Sequence, residues 1–415
     1  MIENNPRIVI GTDGENKYLG IETIGNIRPA IGVIAHEGID GDCATAISLM
    51  QIYGIDFGRI VFKSSGENSL VENKPATEWL REGWVLIDIG GAGENCELGN
   101  LTHLDHSHSE KSQDCATSIA WRLISSHVKI PEEEREKIEK LVSYVKRTDL
   151  KGGQQFFDLN HICKDLNAKG ETPKTILEKI SLALTVYIKR PKDELNTELF
   201  VELVLEIFEE KKINYEALKG PVKNYLKNVE AGKTQNIPDI LRMTSTATKN
   251  LIRSVIQSEI VRQKNFQLDA LEIKKAIEGR NSSVRCTKMK RGKILIAAQT
   301  DSNEFKSAAL KAGATIVLKR NKKGQLQIFT QKNDGVNIAE IAEVIRAEEF
   351  LIKNGKSTSL KSAYLRTAGT IAEVPIWFFF QQGGMMLNGS HTANDQPPSA
   401  IHNERIIELI VKTFR

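Results

Sequence analysis

The chain of 415 residues contains no apolar run long enough to cross a bilayer. Spanning takes about 18 consecutive apolar residues, and the aromatic run Trp377-Phe378-Phe379-Phe380 falls far short of that. No membrane partner is therefore expected. The start, Met1-Ile2-Glu3-Asn4-Asn5-Pro6, lacks the basic-then-apolar pattern of a secretory signal, so the sequence predicts a cytoplasmic protein. Cysteine is scarce: Cys43, Cys96, Cys115, Cys163 and Cys286 are odd in number, scattered, and without a CxxC pair. That pattern argues against a disulfide framework and a structural zinc site, and for a reducing compartment. No strong charge of one sign is present either. A net charge of +4 does not demand a nucleic-acid partner, but it suits an anionic substrate better than a strongly acidic chain would. Internal repeats and low-complexity tracts are also missing. The chain is 40% apolar and 27% charged, as expected of a soluble globular protein. Its length predicts two or three domains, each with a sizeable core.

The first 150 or so residues alternate short apolar strands with amphipathic helices, which predicts a mostly parallel sheet covered by helices. Expected strands are Arg7–Ile10, Ala30–Ala35, Ile60–Phe62, Val85–Asp88 and Leu101–Leu104; expected helices are Cys43–Tyr53, Ala76–Glu82 and Ala116–His127. A further helix starts near Pro131, with Glu132, Glu133 and Glu134 in its first turn. Its apolar spacing (Ile138, Leu141, Val142, Val145) runs out before Arg147-Thr148-Asp149, which places Asp149 at an element end. Residues 154–283 read as a helical connector. From residue 284 a second, smaller α/β domain is expected to reach residue 415, with strands near 294–298 and 315–319. The turn Asn321-Lys322-Lys323-Gly324 then leads into Leu326–Phe329 as a hairpin. The fold class is α/β in three parts: 1–153, 154–283 and 284–415.

The stretch Val33-Ile34-Ala35-His36-Glu37-Gly38-Ile39-Asp40-Gly41-Asp42 carries the chemistry. A strand-like run ends in one imidazole and two carboxylates, and strand ends are where open α/β sheets bind ligands. Taken alone, the stretch also reads as a polar turn whose aspartate caps the next helix. Asp88, the Asp105-His106 pair and Asp149 follow in order, and together they suit divalent cations. A two-cation site needs several protein ligands, with a carboxylate commonly bridging. His36 and Asp40 suit one ion, Asp42, Asp149 and His106 the other, with Asp88 between them.

These four segments resemble motifs one to four of the DHH phosphoesterase superfamily, which includes RecJ-like exonucleases, oligoribonucleases and family II inorganic pyrophosphatases. Motif one is His36-x3-Asp40-x-Asp42, motif two Ile87-Asp88-Ile89-Gly90, motif three Leu104-Asp105-His106-Ser107, and motif four Arg147-Thr148-Asp149. The resemblance implies that His36, Asp40, Asp42, Asp88, His106 and Asp149 are metal ligands, and that Asp105 orients the site from behind them. Two departures lie on the substrate side. Ser107 stands where the superfamily has the second histidine of its Asp-His-His triplet, a position that contacts the substrate phosphate. His108 and His103 are open as substitutes. The phosphate-binding Gly-Gly-Gly-His turn of nucleotide-acting subfamilies has its nearest equivalent in Asn388-Gly389-Ser390-His391, so Gly389, Ser390 and His391 become substrate-binding candidates. Arg366 is a candidate phosphate clamp.

Other features have plainer readings. Lys288, Lys290, Arg291, Lys293, Lys322 and Lys323 fit solvated turns and edge-strand protection. The Trp377–Phe380 run fits a buried strand, Cys43 and Cys115 fit small packing residues, and His127, His161 and His402 fit structural or surface histidines.

The expected function is a phosphoesterase using two divalent cations, manganese first, with magnesium or cobalt as replacements. Attack by metal-bound hydroxide would cleave a phosphodiester in a short oligonucleotide or a (cyclic) nucleotide, with Asp105, Ser107 and His108 in the catalytic set. The alternatives are a phosphatase of a small phosphorylated metabolite or polyphosphate, and a non-catalytic DHH-derived scaffold that binds nucleic acid. The partner is a phosphate-containing substrate, short single-stranded nucleic acid included, and a homo-oligomer is compatible with the sequence.

Overall fold

The computed structural model describes residues 6–64, 70–89, 101–105, 114–151, 158–190, 206, 243, 245–331, 335–381, 383–389 and 396–414. The chain divides into two compact α/β units, residues 1–64 with 69–261, and 65–68 with 262–415.

The first unit opens with an antiparallel meander of β1 (Arg7–Asp13), β2 (Asn16–Thr23) and β3 (Asn26–Pro29). Ile24 and Gly25 join the last two with φ of 45° and 79°, a pair of positive angles that matches the right-handed twist of a hairpin. The sequence pointed to a mostly parallel sheet, and the parallel sheet is present as a separate three-stranded layer. Its order is β6 (Arg59–Lys63), β4 (Gly32–His36), β7 (Trp84–Ile87). All five residues of β4, Gly-Val-Ile-Ala-His, are buried, as suits a central strand covered on both faces. The short β5 (Ile55–Asp56) adds to β2. Leu101–Leu104 makes a single bridge, Leu104 to Ile87, instead of a full strand.

Helices α1 (Gly41–Ile52), α2 (Ala76–Arg81), α3 (Ala116–His127), α4 (Glu132–Lys151), α5 (Leu159–Ala168) and α6 (Pro173–Lys189) complete the described part of this unit. α1 is buried from Gly41 to Met50 and packs against α3, α4, α5 and α6, so it is the hub of the helical layer. Of the segment read as a connector, α5 and α6 contribute Leu159, Ile162, Leu166, Ile180 and Leu184 to the same core as α1.

α7 (Thr246–Ile277) starts in the first unit, where Leu251, Ile252, Val255 and Ile256 are buried, and ends in the second, where Ile273 is buried. The second unit is a six-stranded sheet in the order β12 (Phe378–Phe380), β13 (Met385–Asn388), β11 (Leu326–Thr330), β10 (Ile316–Arg320), β9 (Ile294–Gln299), β8 (Val284–Lys288). Only β9 and β10 are parallel, joined through α8 (Phe305–Lys311). The expected hairpin between β10 and β11 is present, with its turn at 321–325. α9 (Ile338–Asn354) and α10 (Asn403–Thr413) bury Ile341, Ile345, Ile406 and Ile410 in one core, together with Trp377 and Phe379 of the aromatic run.

Candidate metal centre

Neighbouring parallel strands build the centre. β4 and β7 pair Ala35 with Ile87, so the next residue of each, His36 and Asp88, stands at the same C-terminal edge of the sheet. Their side chains meet there, with His36 Nε2 to Asp88 Oδ2 at 3.2 Å. Asp88 has φ of 51°, the left-handed region that aspartate tolerates better than most residues, and the chain turns sharply out of β7 at this point. The segment at 101–105 then runs alongside. Asp88 N–H donates to Leu104 O (2.8 Å), and Leu104 N–H donates to Leu86 O (2.9 Å). Asp105 follows directly and is buried.

The turn after β4 delivers the next two carboxylates. Asp40 does cap α1, its Oδ1 accepting from the Asp42 and Cys43 amides at 2.9 and 3.1 Å. The same oxygen is 3.9 Å from His36 Nε2, so the capping reading and the ligand reading describe one residue. Asp42 points the other way. Its Oδ2 and Oδ1 accept from the Ala116 and Thr117 amides at 2.7 and 2.9 Å, capping the first turn of α3 across 74 residues of sequence. A carboxylate has about four acceptor positions, so each oxygen retains room for a cation beside its amide bond.

Two further carboxylates, Asp105 and Asp149, act on the centre through their charge. Asp88 has its carboxyl pushed well above the usual range, first by burial and then by the charges of Asp40, Asp42, Asp105 and Asp149. Burial and the charge of Asp40 likewise raise Asp42, against hydrogen bonds from Thr117. At Asp40 burial pulls upward, but the hydrogen bond and charge of His36 and the Cys43 amide outweigh it and hold the carboxyl low. Five like-charged groups this close repel one another unless protons or cations intervene. His36 supplies the one imidazole among the described ligand candidates. An imidazole beside carboxylates at a buried strand edge is a donor set that could hold a metal ion.

Two sequence expectations change. α4 does not end before Arg147; it continues to Lys151, so Asp149 occupies its last turn. Its apolar spacing stops at Val145, and the next four residues, Lys146 to Asp149, are half-buried or exposed. Cys43 does more than pack against neighbours. Its Sγ lies within 4.8 Å of candidate ligand atoms of both His36 and Asp88, and it donates weakly to Ile87 O at 3.7 Å. His106, Ser107 and His108 lie outside the described residues.

In the second unit Gly389 follows β13 with φ of 92°, and a Cβ there would lie 2.6 Å from Gln325. Its carbonyl accepts from Gln327 Nε2 (3.1 Å). The buried Asn388 donates to the carbonyls of Ile376 (3.1 Å) and Pro397 (2.8 Å) and accepts from Ser399 N–H (2.8 Å). Ser390 and His391 fall outside the described residues. Arg366 is held by Glu343, with Nε to Oε2 at 2.6 Å, so its guanidinium is already paired. Sequence reasoning missed Cys43 as a neighbour of the ligands and Asn160 and Asn167 as contacts of the Asp40 turn; their hydrogen bonds span more than 100 residues and leave no local signal.

No protein-family model and no curated protein sequence matches the chain. Among solved structures it is similar to a pGpG-specific phosphodiesterase from Vibrio cholerae, with TM-score 0.31 and 12% identity over 79% of this chain and 89% of that one. It is also similar to an uncharacterized protein from Helicobacter pylori G27 (TM-score 0.20, 13% identity, 92% and 98% covered). A third likeness is to the DHH domain of a member of the S1p family of ribosomal proteins (TM-score 0.32, 12% identity, 92% and 86% covered). Superpositions this loose carry no weight of their own, and the residues at the strand edge bear the functional reading.

Proposed function

We propose that the chain is a divalent-cation-dependent phosphoesterase of the DHH superfamily, acting on a phosphodiester in a short oligonucleotide or nucleotide. The observation that carries this is the meeting of His36, Asp40 and Asp88 at one strand edge, within reach of the charges of Asp42, Asp105 and Asp149. A set of carboxylates that repel one another is costly to keep without a cation to offset them. His36, Asp40 and Asp88 would hold one cation. Asp42, Asp149 and a shared Asp88 would hold a second, with His106 assigned by the motif resemblance. Cations held there would supply a water of lowered pKa and offset charge on phosphoryl oxygens. Manganese suits the mixed imidazole and carboxylate donors. Asp42 also ties the first turn of α3 to the first turn of α1, which keeps two walls of the centre in fixed register.

The test is hydrolysis of bis-p-nitrophenyl phosphate, p-nitrophenyl phosphate and a labelled short oligonucleotide, with manganese and with chelator, by the wild type and Asp88→Asn. Manganese-dependent cleavage of a diester, lost in the variant, is the expected result. Cleavage of the monoester alone would move the reading to a small-molecule phosphatase. Manganese binding with no turnover of any substrate would favour a non-catalytic relative.

A further inference from the structure

We propose that Asn160 and Asn167, both on α5, are positioning residues for Asp40, so that α5 is part of the framework of the cation centre. This rests on the reading of Asp40 as a cation ligand. Asn167 Nδ2 donates to the carbonyl of Ile39 (2.9 Å), and the N–H of Gly41 donates to Asn160 Oδ1 (2.8 Å). These are the peptide groups immediately before and immediately after Asp40. Holding both peptide planes holds the backbone angles between them, φ −111° and ψ −174°, and with them the direction in which the Asp40 side chain leaves. The carboxylate is then set by the Asp42 and Cys43 amides.

The two contacts leave no freedom in the asparagine amides. A backbone N–H only donates and a carbonyl only accepts, so Asn160 must present oxygen and Asn167 nitrogen. They stand seven residues apart, about two helical turns, and thus on one face. α5 itself is fixed by the buried Leu159, Ile162, Cys163 and Leu166, and its N-terminus is capped by the buried Asp158, which accepts from the His161 amide at 2.6 Å. The approach of α5 is close enough to exclude a side chain at position 41. A Cβ on Gly41 would lie 2.6 Å from Asn160 Oδ1 and 2.8 Å from Asn160 N. Asn160 is only 5% exposed, so water does not readily replace its bond to Gly41. α5 belongs to the stretch after Asp149 that none of the four motifs covers.

The experiment compares Asn160→Asp, Asn160→Ala, Asn167→Asp and Asn167→Ala in the full chain. Aspartate is close in shape to asparagine, and in its ionised form it can only accept at either position, so the comparison is made above neutrality. Asn160→Asp therefore keeps its bond to the Gly41 amide, whereas Asn167→Asp faces a carbonyl with a carboxylate. Manganese affinity is read from the electron paramagnetic resonance signal of free Mn²⁺, and kcat and KM are measured on the diester substrate. Asn160→Asp is expected to bind within about threefold of the wild type. Both alanine variants and Asn167→Asp are expected to lose about 10- to 100-fold in affinity, the size seen when groups supporting metal ligands are removed. The loss should fall on kcat and leave KM little changed. Should Asn167→Asp fail to fold, Asn167→Ala removes the donor without adding charge and carries the same comparison. Equal affinities in the two aspartate variants, or full affinity in all four with only a lower melting temperature, would reduce the asparagines to packing and overturn the positioning role. A wild type that binds no Mn²⁺ overturns the functional reading as well, which separates the two failures.

Discussion

Replacing Asp88 by asparagine should make the cation-free protein more stable and the cation-loaded protein less so. Asp88 Oδ2 and Asp40 Oδ1 lie 3.2 and 3.9 Å from the same nitrogen, His36 Nε2. The two oxygens are therefore no more than about 7 Å apart, and at an effective dielectric of ~20 unit charges at that separation repel by about 2 kcal/mol. Asparagine removes the charge and keeps an oxygen for His36, and it tolerates the φ of 51° as well as aspartate does. A unit of this size shifts by about 2 °C per kcal/mol, so melting without cations should rise by about 4 °C. With manganese at ~100 times its Kd the wild type gains about 2.7 kcal/mol, and its melting temperature should then pass that of the variant. The pH dependence has a definite sign. The Asp88 carboxyl is raised in the fold, so the wild type bears its penalty only above the ordinary carboxylate value of about 4. The advantage of the variant should therefore be absent below about 4 and grow as pH rises above it towards the raised value of the folded state. Scanning calorimetry with and without manganese at several pH values measures all of this. A cation-free variant that melts below the wild type, or an equal manganese shift in both, would refute the account of Asp88 as a repelled cation ligand.

The parts of the fold that were legible in the sequence are those with strong local signals. β4 reads as a continuous apolar run, α3 as a periodic helix with the expected limits, and the β10–β11 hairpin as two strands around a glycine turn. β3 could not be read this way, because all four of its residues are exposed and the strand exists through its pairing with β2. The overrun of α4 to Lys151 has a similar cause, since hydrogen bonds continue a helix after its apolar face has ended. The candidate ligands were legible because each follows a recognisable element; their partners were not. Asp42 spends both oxygens on α3, 74 and 75 residues away, and nothing near Asp42 announces it. α9 hides two buried charges in the same way. Arg346 is buried against the carbonyls of Leu365 and Thr367, and Glu349 against the Trp377 indole. Their charge makes both read as surface residues, although by spacing they continue the buried face of Ile338, Ala342 and Ile345.

Asp42→Asn leaves one acceptor where two amides now bond, so α3 should lose about 1–2 kcal/mol at its N-terminus, seen as faster hydrogen exchange at Ala116 or Thr117. Glu349→Gln turns an amide donor toward the Trp377, Ser399 and Ala400 donors, and about 1–3 kcal/mol of stability should be lost, measurable by urea unfolding. Gly41→Ala should weaken manganese binding together with stability, since its Cβ would meet Asn160 at 2.6 Å; unchanged calorimetric titrations would deny that close approach. Cation binding should also release protons. Asp88 and Asp42 are both raised, by burial and by like charges, so each keeps its proton to a higher pH than a free carboxyl does. A cation takes only the ionised form, so binding expels those protons and affinity rises with pH. Binding enthalpies in two buffers of different ionisation enthalpy should differ in proportion to the protons released. That difference should shrink as pH rises and should be smaller in Asp88→Asn if the variant retains measurable binding. Identical enthalpies in both buffers across the whole pH range would mean that the cluster is already ionised, and that something other than a bound cation offsets its charge.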